Sequence, residues 1–230
     1  MKLTLQNLSA LLLASLPLST AILPHCDNQG WDWAYYSNPL HNDGENYPGF
    51  RADLYKTRNP VYSGVTPWIG GRLGYTDANP DTSTFYGSPV ELNSTYFALN
   101  HHAYLHACEG GTWQFDITSV DDVAFAWIGE TAVSGWTGAN ADAKAAWTFV
   151  GNGNNHCGSA SVRKDLEGNR FHHLRFVFAN GRWGGLFNLT VTSPSGIIMH
   201  RSGRDSDWIV RYSCGFDTSA SRFPDFGSES

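Results

Sequence analysis

The stretch "TWQFDIT", residues 112–118, alternates strictly, with Trp113, Phe115 and Ile117 on one side and Thr112, Gln114 and Asp116 on the other. Side chains two apart share a face of an extended strand, so the pattern predicts a strand with one face in a core and one in water. The stretch "LFNLTVT", residues 186–192, repeats it, with Phe187, Leu189 and Val191 opposite Asn188, Thr190 and Thr192, and then stops at the turn "SPSG". By contrast "HLRFVFAN", residues 173–180, is apolar nearly throughout, as a strand covered on both faces would be. Working outward, long 3.6-residue periodicities are nearly absent, and short alternating runs are bounded by Gly, Pro, Asn and Asp. Only "NADAKAAW", residues 140–147, reads as a short helix, with Asn140 as its N-cap. The expected fold is all-β, an antiparallel β-sandwich with long aromatic-rich loops and little helix. Residues 26–90 are turn-rich and read as loops and edge strands wrapped over the sandwich, not as a second domain.

The chain opens with Lys2, a short apolar run, and small residues at Ser19 and Ala21, the pattern of a secretory signal peptide cut after Ala21. That divides it into a signal peptide (1–21), one domain (22–214) and a flexible C-terminal tail (215–230). No further apolar run is long enough for a membrane span. The net charge of −6, with Lys and Arg scattered, argues against nucleic acid. Four cysteines beyond the cut, Cys26, Cys108, Cys157 and Cys214, read as two disulfides of an exported protein. Three pairings exist. The preferred one staples the ends through Cys26–Cys214 and joins Cys108–Cys157. Sequons for N-glycosylation stand at Asn93 ("NST") and Asn188 ("NLT"), the latter on the polar face of its strand.

The chemistry concentrates in "SVDDVAFAWIG", residues 119–129, where Asp121 and Asp122 head an apolar run. Neighbours on a regular strand point to opposite faces. Either one faces solvent, or an unusual backbone, such as a cis peptide bond, turns both toward a cation. From spacing alone the solvated turn is the commoner arrangement. A second segment, "RFVFANGRWGGLFNL", strengthens the alternative. Asn180 ends its strand, and the glycine-rich loop after it can turn backbone carbonyls inward. Two carboxylates, an amide oxygen and carbonyls make a calcium-type donor set that leaves coordination positions open. Trp183 offers either a loop anchor or a flat platform for the apolar face of a sugar.

Several ordered motifs now carry a resemblance: "YFALNH", "GTWQF", "VDDVAFAWIG", "SGWT", "NADA" and "HLRFVFANGRWGGLFNLTVTSPSG". Together they resemble the fungal GLEYA adhesin domain, which is related to flocculin and epithelial-adhesin lectins with an anthrax protective antigen-like fold. The naming motif departs from the pattern, reading Gly30, Trp31, Asp32, Trp33, Ala34. The resemblance implies that Asp121 and Asp122 are joined by a cis peptide bond and bind Ca2+ with Asn180 and the backbone oxygens of Arg182 and Gly184. It implies that hydroxyls of a cell-surface glycan complete the shell, with Asp121, Asp122, Asn180 and Trp183 at the ligand. It makes Trp136 a core residue. The function expected is a calcium-dependent carbohydrate-binding module of a secreted or cell-wall adhesin, not an enzyme.

Other readings remain. A wall protein with a purely stabilising calcium site shares these motifs. A glycoside hydrolase would need two carboxylates about 5–9.5 Å apart across the scissile bond, which adjacent aspartates on one cation do not provide. The paired histidines 101–102 and 172–173 face opposite ways on a strand with no Cys or acid cluster beside them, and His102 and His106, which could share a face, read as surface or half-buried residues, not a zinc site. No GxSxG elbow or phosphate loop occurs.

Overall fold

The computed structural model describes residues 26–40, 46–74, 82–150, 154–182, 184–214, 217 and 220–229. The signal-peptide reading lies outside them. The first strands are β1 (Trp31–Ser37), β2 (Tyr62–Thr66), β3 (Gly71–Leu73), β4 (Thr82–Ser83) and β5 (Leu92–Asn93). There follow β6 (Phe97–Ala107), β7 (Gly111–Asp121), β8 (Val123–Ile128), β9 (Ala143–Ala146), β10 (Thr148–Val150) and β11 (Asn154–His156). The chain continues through β12 (Gly158–Leu166), β13 (Arg170–Asn180), β14 (Gly185–Thr192), β15 (Ile198–Arg201) and β16 (Ile209–Val210). Helical structure among the described residues is confined to two single 3₁₀ turns, Ala52–Tyr55 and Glu130–Ala132.

Two antiparallel sheets face each other. One runs β2-β1-β6-β13-β8-β9, with β16 also paired to β6. The other runs β12-β7-β14-β15, with β3 also paired to β14. The alternating strands β7 and β14 form the middle of the second sheet. Their apolar sets, Trp113, Phe115 and Ile117 with Phe187, Leu189 and Val191, enter the core between the sheets. Phe176 and Phe178 of β13 meet them from the other side. The opposite side of β13 is buried too. Val177 and Ala179 join a second core with Tyr36, Tyr55, Trp127 and Trp136, beneath the 50–55 loop. That is why "HLRFVFAN" carries no alternation. The sheet it occupies is the middle of three layers. Trp136 is fully buried there, as the motif reading holds.

Four readings need correction. "NADAKAAW" is not a helix. Residues Ala143–Ala146 pair with β8 in the register Val123↔Ala146 and Phe125↔Lys144, and strand pairing overrides the helical propensity of alanine. Asn140 instead organises the preceding loop, accepting from Thr137 N and Trp127 Nε1 and donating to Gly135 O. His102 and His106 are not surface or half-buried groups. They are buried, as are His101 and His173, because β6 and β13 lie in the middle layer where both faces are covered.

Residues 220–229 are not a loose tail. Phe223 and Phe226 pack on His102 with centroids 4.3 and 4.4 Å away, and Glu229 is buried against Arg175. The segment closes the outer face of the middle layer, so it belongs to the domain's packing.

The Cys26–Cys214 disulfide forms as expected and ties the start of the domain to its end. The second pairing does not. Cys108 and Cys157 are both free thiols. In the β7–β12 ladder Gly111 pairs with Leu166 and Val120 with Gly158, which puts the two cysteines at opposite ends. About eight strand steps, or ~27 Å, separate those ends, far beyond the 4.4–6.8 Å Cα span of a disulfide.

Candidate functional site

The chain switches between the two sheets at two neighbouring places. Asp121 ends β7 in one sheet, and Val123 begins β8 in the other. Asn180 ends β13, and residues 181–184 lead to β14 in the opposite sheet. Register brings the two switches together, since Leu186 pairs with Asp121 and Ala179 with Val123. Irregular backbone at such crossings is where strand alternation stops constraining side-chain direction.

Two departures from regular strand geometry aim the aspartates. First, β7 holds one residue more than both of its neighbours. Leu186 to Asn188 spans Asp121 to Thr118, and Gly158 to Ala160 spans Val120 to Ile117. This is a β-bulge, with Ser119 in the left-handed region at φ 57°. It returns Val120, not Ser119, to the core and shifts the phase of everything after it. Second, the Asp121–Asp122 peptide bond is cis. The two carboxyls, both half-buried, come within hydrogen-bonding reach of each other.

Burial raises the Asp121 carboxyl above its ordinary range, and the hydrogen bond from Asp122 partly offsets this. None of the salt bridges among the described residues reaches Asp121. Asp122 accepts the Gly181 N–H at 2.5 Å, and its carbonyl accepts the Trp147 N–H at 2.6 Å, which locks the pair to the 181–184 loop.

Asn180 is only 1 % exposed. Its amide nitrogen donates to Ser94 O at 3.4 Å and Gly181 O at 3.2 Å, which fixes the side chain's orientation. Gly185 follows the loop, and a Cβ there would stand 2.5 Å from the Phe178 ring and 3.0 Å from Asn180 Oδ1. Only glycine lets β14 pass that close. Arg182 is exposed and donates through Nε to Tyr96 OH at 3.1 Å, while Gly184 is half-buried. Trp183 lies outside the described residues.

Thus Asp121, Asp122 and Asn180 are brought to one corner, with Arg182 and Gly184 in the connection between β13 and β14. The donors are all oxygens, two of them carboxylates drawn out of water beside each other. That chemistry fits a hard divalent cation such as calcium and offers nothing soft for zinc. Among the described residues no three His, Cys, Asp or Glu side chains gather, so amide and carbonyl oxygens would have to complete the set.

Sequence reasoning missed the segment Ser94–Tyr96, which forms the near wall. Ser94 O holds Asn180, and Tyr96 N donates to Gly181 O at 2.6 Å. It took Cys157 only as a disulfide partner, whereas the Gly158↔Val120 pairing places this free cysteine at the same corner, its thiol raised by burial and by the Asp121 charge. No local pattern announces either one.

A cleft of about 660 Å3 lies elsewhere, between β1, β2 and the C-terminal segment. Its charged floor pairs Asp32 with Arg211 at 2.8 Å, and aromatic edges of Tyr212 and Phe223 line it.

Comparison with known proteins gives a consistent frame. Residues 97–193 match the family model of the GLEYA domain. A putative cell agglutination protein of Schizosaccharomyces pombe, pfl4, is 26 % identical over 204 residues, covering 80 % of this chain and 33 % of its own length. A second from the same yeast, pfl8, is 38 % identical over 143 residues, covering 61 % of this chain and 36 % of its own. The chain thus spans about a third of those relatives. Among solved structures, the epithelial adhesin 6 A domain of Candida glabrata, in complex with Galβ1-3GlcNAc, superposes with a TM-score of 0.59 at 18 % identity. That match covers 86 % of this chain and 92 % of the adhesin domain. The PA14 domain of the MpAFP antifreeze protein follows at 0.50 and 16 % identity, over 79 % and 89 % of the two chains. The fold is therefore that of the PA14-like adhesin domains.

Proposed function

We propose that the chain is a calcium-dependent carbohydrate-binding module acting at a cell surface or in the extracellular space. Asp121 and Asp122 would hold the ion with Asn180, and the backbone oxygens of Arg182 and Gly184 would complete the protein's share. Glycan hydroxyls would take the remaining positions. When bound, the ion supplies a fixed positive charge that attracts vicinal hydroxyls. The protein's own residues hold the carboxylates together, exclude water on the Asn180 side and set the loop that faces the sugar.

The observation that carries this reading is the convergence of two half-buried carboxyls at a corner where, among the described residues, no salt bridge reaches Asp121. The agglutination relatives and the glycan-bound adhesin neighbour supply the biological context. Hydrolysis is disfavoured, because carboxylates within hydrogen-bonding reach leave no room for a glycosidic oxygen and water between them. Monovalent affinity is expected to be weak, with strength coming from many copies on one surface.

The test is binding of the domain to a broad glycan array with calcium, with EDTA, and as the Asp122→Ala variant. Calcium-dependent binding lost in Asp122→Ala supports the reading. Calcium binding without any glycan signal would favour a stabilising site instead.

A further inference from the structure

The second wall of this corner carries a glycosylation sequon. Asn93, exposed at the end of β5, belongs to Asn93-Ser94-Thr95. Its backbone is pinned by Tyr35, whose hydroxyl donates to Asn93 O at 2.7 Å. Its side-chain Oδ1 accepts both the N–H and the hydroxyl of Thr95 at 2.8 Å. Nδ2, the atom to which an N-glycan is joined, has no protein hydrogen bond among the described residues, and the residue is exposed. One residue on, the Ser94 carbonyl accepts from Asn180, and two further on Tyr96 bonds to Gly181 and Arg182. The attachment point therefore stands on the strand end that buttresses the calcium loop. One Cα step of about 3.8 Å separates it from the residue that holds Asn180.

We infer that an N-glycan on Asn93 overhangs the mouth of the calcium corner and regulates its access to outside glycans. The inference rests on the reading of that corner as the glycan site. An N-glycan is bulky and hydrated, and it cannot fold inward here because Ser94 beneath it is fully buried. It sweeps the space over Tyr96 and Arg182, where an incoming sugar would approach the ion. Calcium itself, being small, still enters. The two ligands should therefore respond differently to the same modification. The sequon at Asn188 differs. It lies on the outer polar face of the five-stranded sheet, opposite Thr118, so its glycan grows away from the loop. The Cys26–Cys214 disulfide is consistent with a chain that matures where N-glycans are added.

The experiment uses the full chain made in a glycosylating eukaryotic host. Mass spectrometry establishes occupancy at Asn93 and Asn188. Four forms are then compared: the intact glycoprotein, the same protein trimmed enzymatically to one GlcNAc after folding, Asn93→Gln, and Asn188→Gln. Each is titrated with calcium alone and bound to the glycan array. A glycan that leaves the mouth open a tenth of the time weakens apparent binding about tenfold. The expected result is therefore tighter array binding, by about that factor, for the trimmed and Asn93→Gln forms, with Asn188→Gln like the intact protein. Calcium affinity should be equal in all four. Trimming after folding separates the effect from any folding defect in the variant. Equal array binding by all forms, or an unoccupied Asn93, overturns the gating inference while leaving the site reading intact. Absence of array binding even after trimming, or binding indifferent to Asp122→Ala, overturns both.

Discussion

Two places in this domain take carboxylates out of water, and they solve the problem differently. Under the C-terminal segment, Glu229 lies 2.9 Å from the Arg175 guanidinium, with both side chains fully buried. Trp136 Nε1 donates to the same carboxylate at 2.6 Å, and Ala132 O and Asn100 Oδ1 accept from Arg175. Burial lowers Arg175 to about 10 and raises Glu229, while their mutual attraction opposes both shifts. Charge there is balanced within the chain. At the Asp121–Asp122 corner two carboxyl groups sit beside each other, and burial raises Asp121 with only the hydrogen bond to Asp122 opposing it. On the proposed reading, the difference separates a carboxylate held by the chain's own cation from a pair that an external cation would hold.

This contrast can be broken or sharpened by experiment. The largest effect is expected at the internally balanced pair. Glu229→Ala leaves Arg175 charged and buried, and chemical denaturation should register a loss of about 3–5 kcal/mol. The double variant Arg175→Met, Glu229→Leu should cost less than either single truncation, because no lone charge remains. At the aspartate corner stability should depend on solution calcium. At a hundredfold excess over Kd the ion adds about 2.7 kcal/mol. EDTA should lower Tm for the wild type and leave Asp122→Ala unmoved; equal EDTA shifts in the two would sink the assignment.

A smaller effect concerns pH. The folded-state pKa of Asp121 lies above its unfolded value. Without metal, its contribution to stability is therefore fully present below the ordinary carboxylate range. It is lost as pH rises through the raised pKa. Asp121→Asn should flatten that part of the calcium-free stability curve. Calcium affinity should change in the opposite sense, strengthening with pH over the same window as the proton leaves. The smallest effect belongs to the free thiols. Cys108→Ser and Cys157→Ser should each change stability by less than about 0.5 kcal/mol. Thiol titration of the unfolded, unreduced chain should count two. A count of zero would mean the ladder ends are cross-linked after all.

Much of the fold was legible because alternation reports burial directly. Trp113, Phe115 and Ile117 read as a half-buried strand, and the unbroken apolarity of Phe176–Ala179 as a doubly covered one. Asn140–Trp147 misled because alanine favours a helix locally, whereas Ala143 and Ala145 are small residues fitted between β8 and the core. The histidines misled for a related reason. Adjacent residues do face opposite ways, but in a middle layer both ways lead inward.

The sequence by itself determined the two-sheet architecture and the presence of a charge problem at Asp121–Asp122. Periodicity, composition and adjacency are local properties, and local properties survive in a linear chain. Only the tertiary structure decided where that problem is placed. The bulge at Ser119, the sheet-switching loops that bring Asn180 to the aspartates, and Ser94–Tyr96 as the wall beneath a sequon depend on register between strands far apart in sequence. So do the separation of Cys108 from Cys157 and the closure of the outer face by Phe223, Phe226 and Glu229. Register is set by the simultaneous fit of all the strands into one close-packed core, and no single segment encodes it.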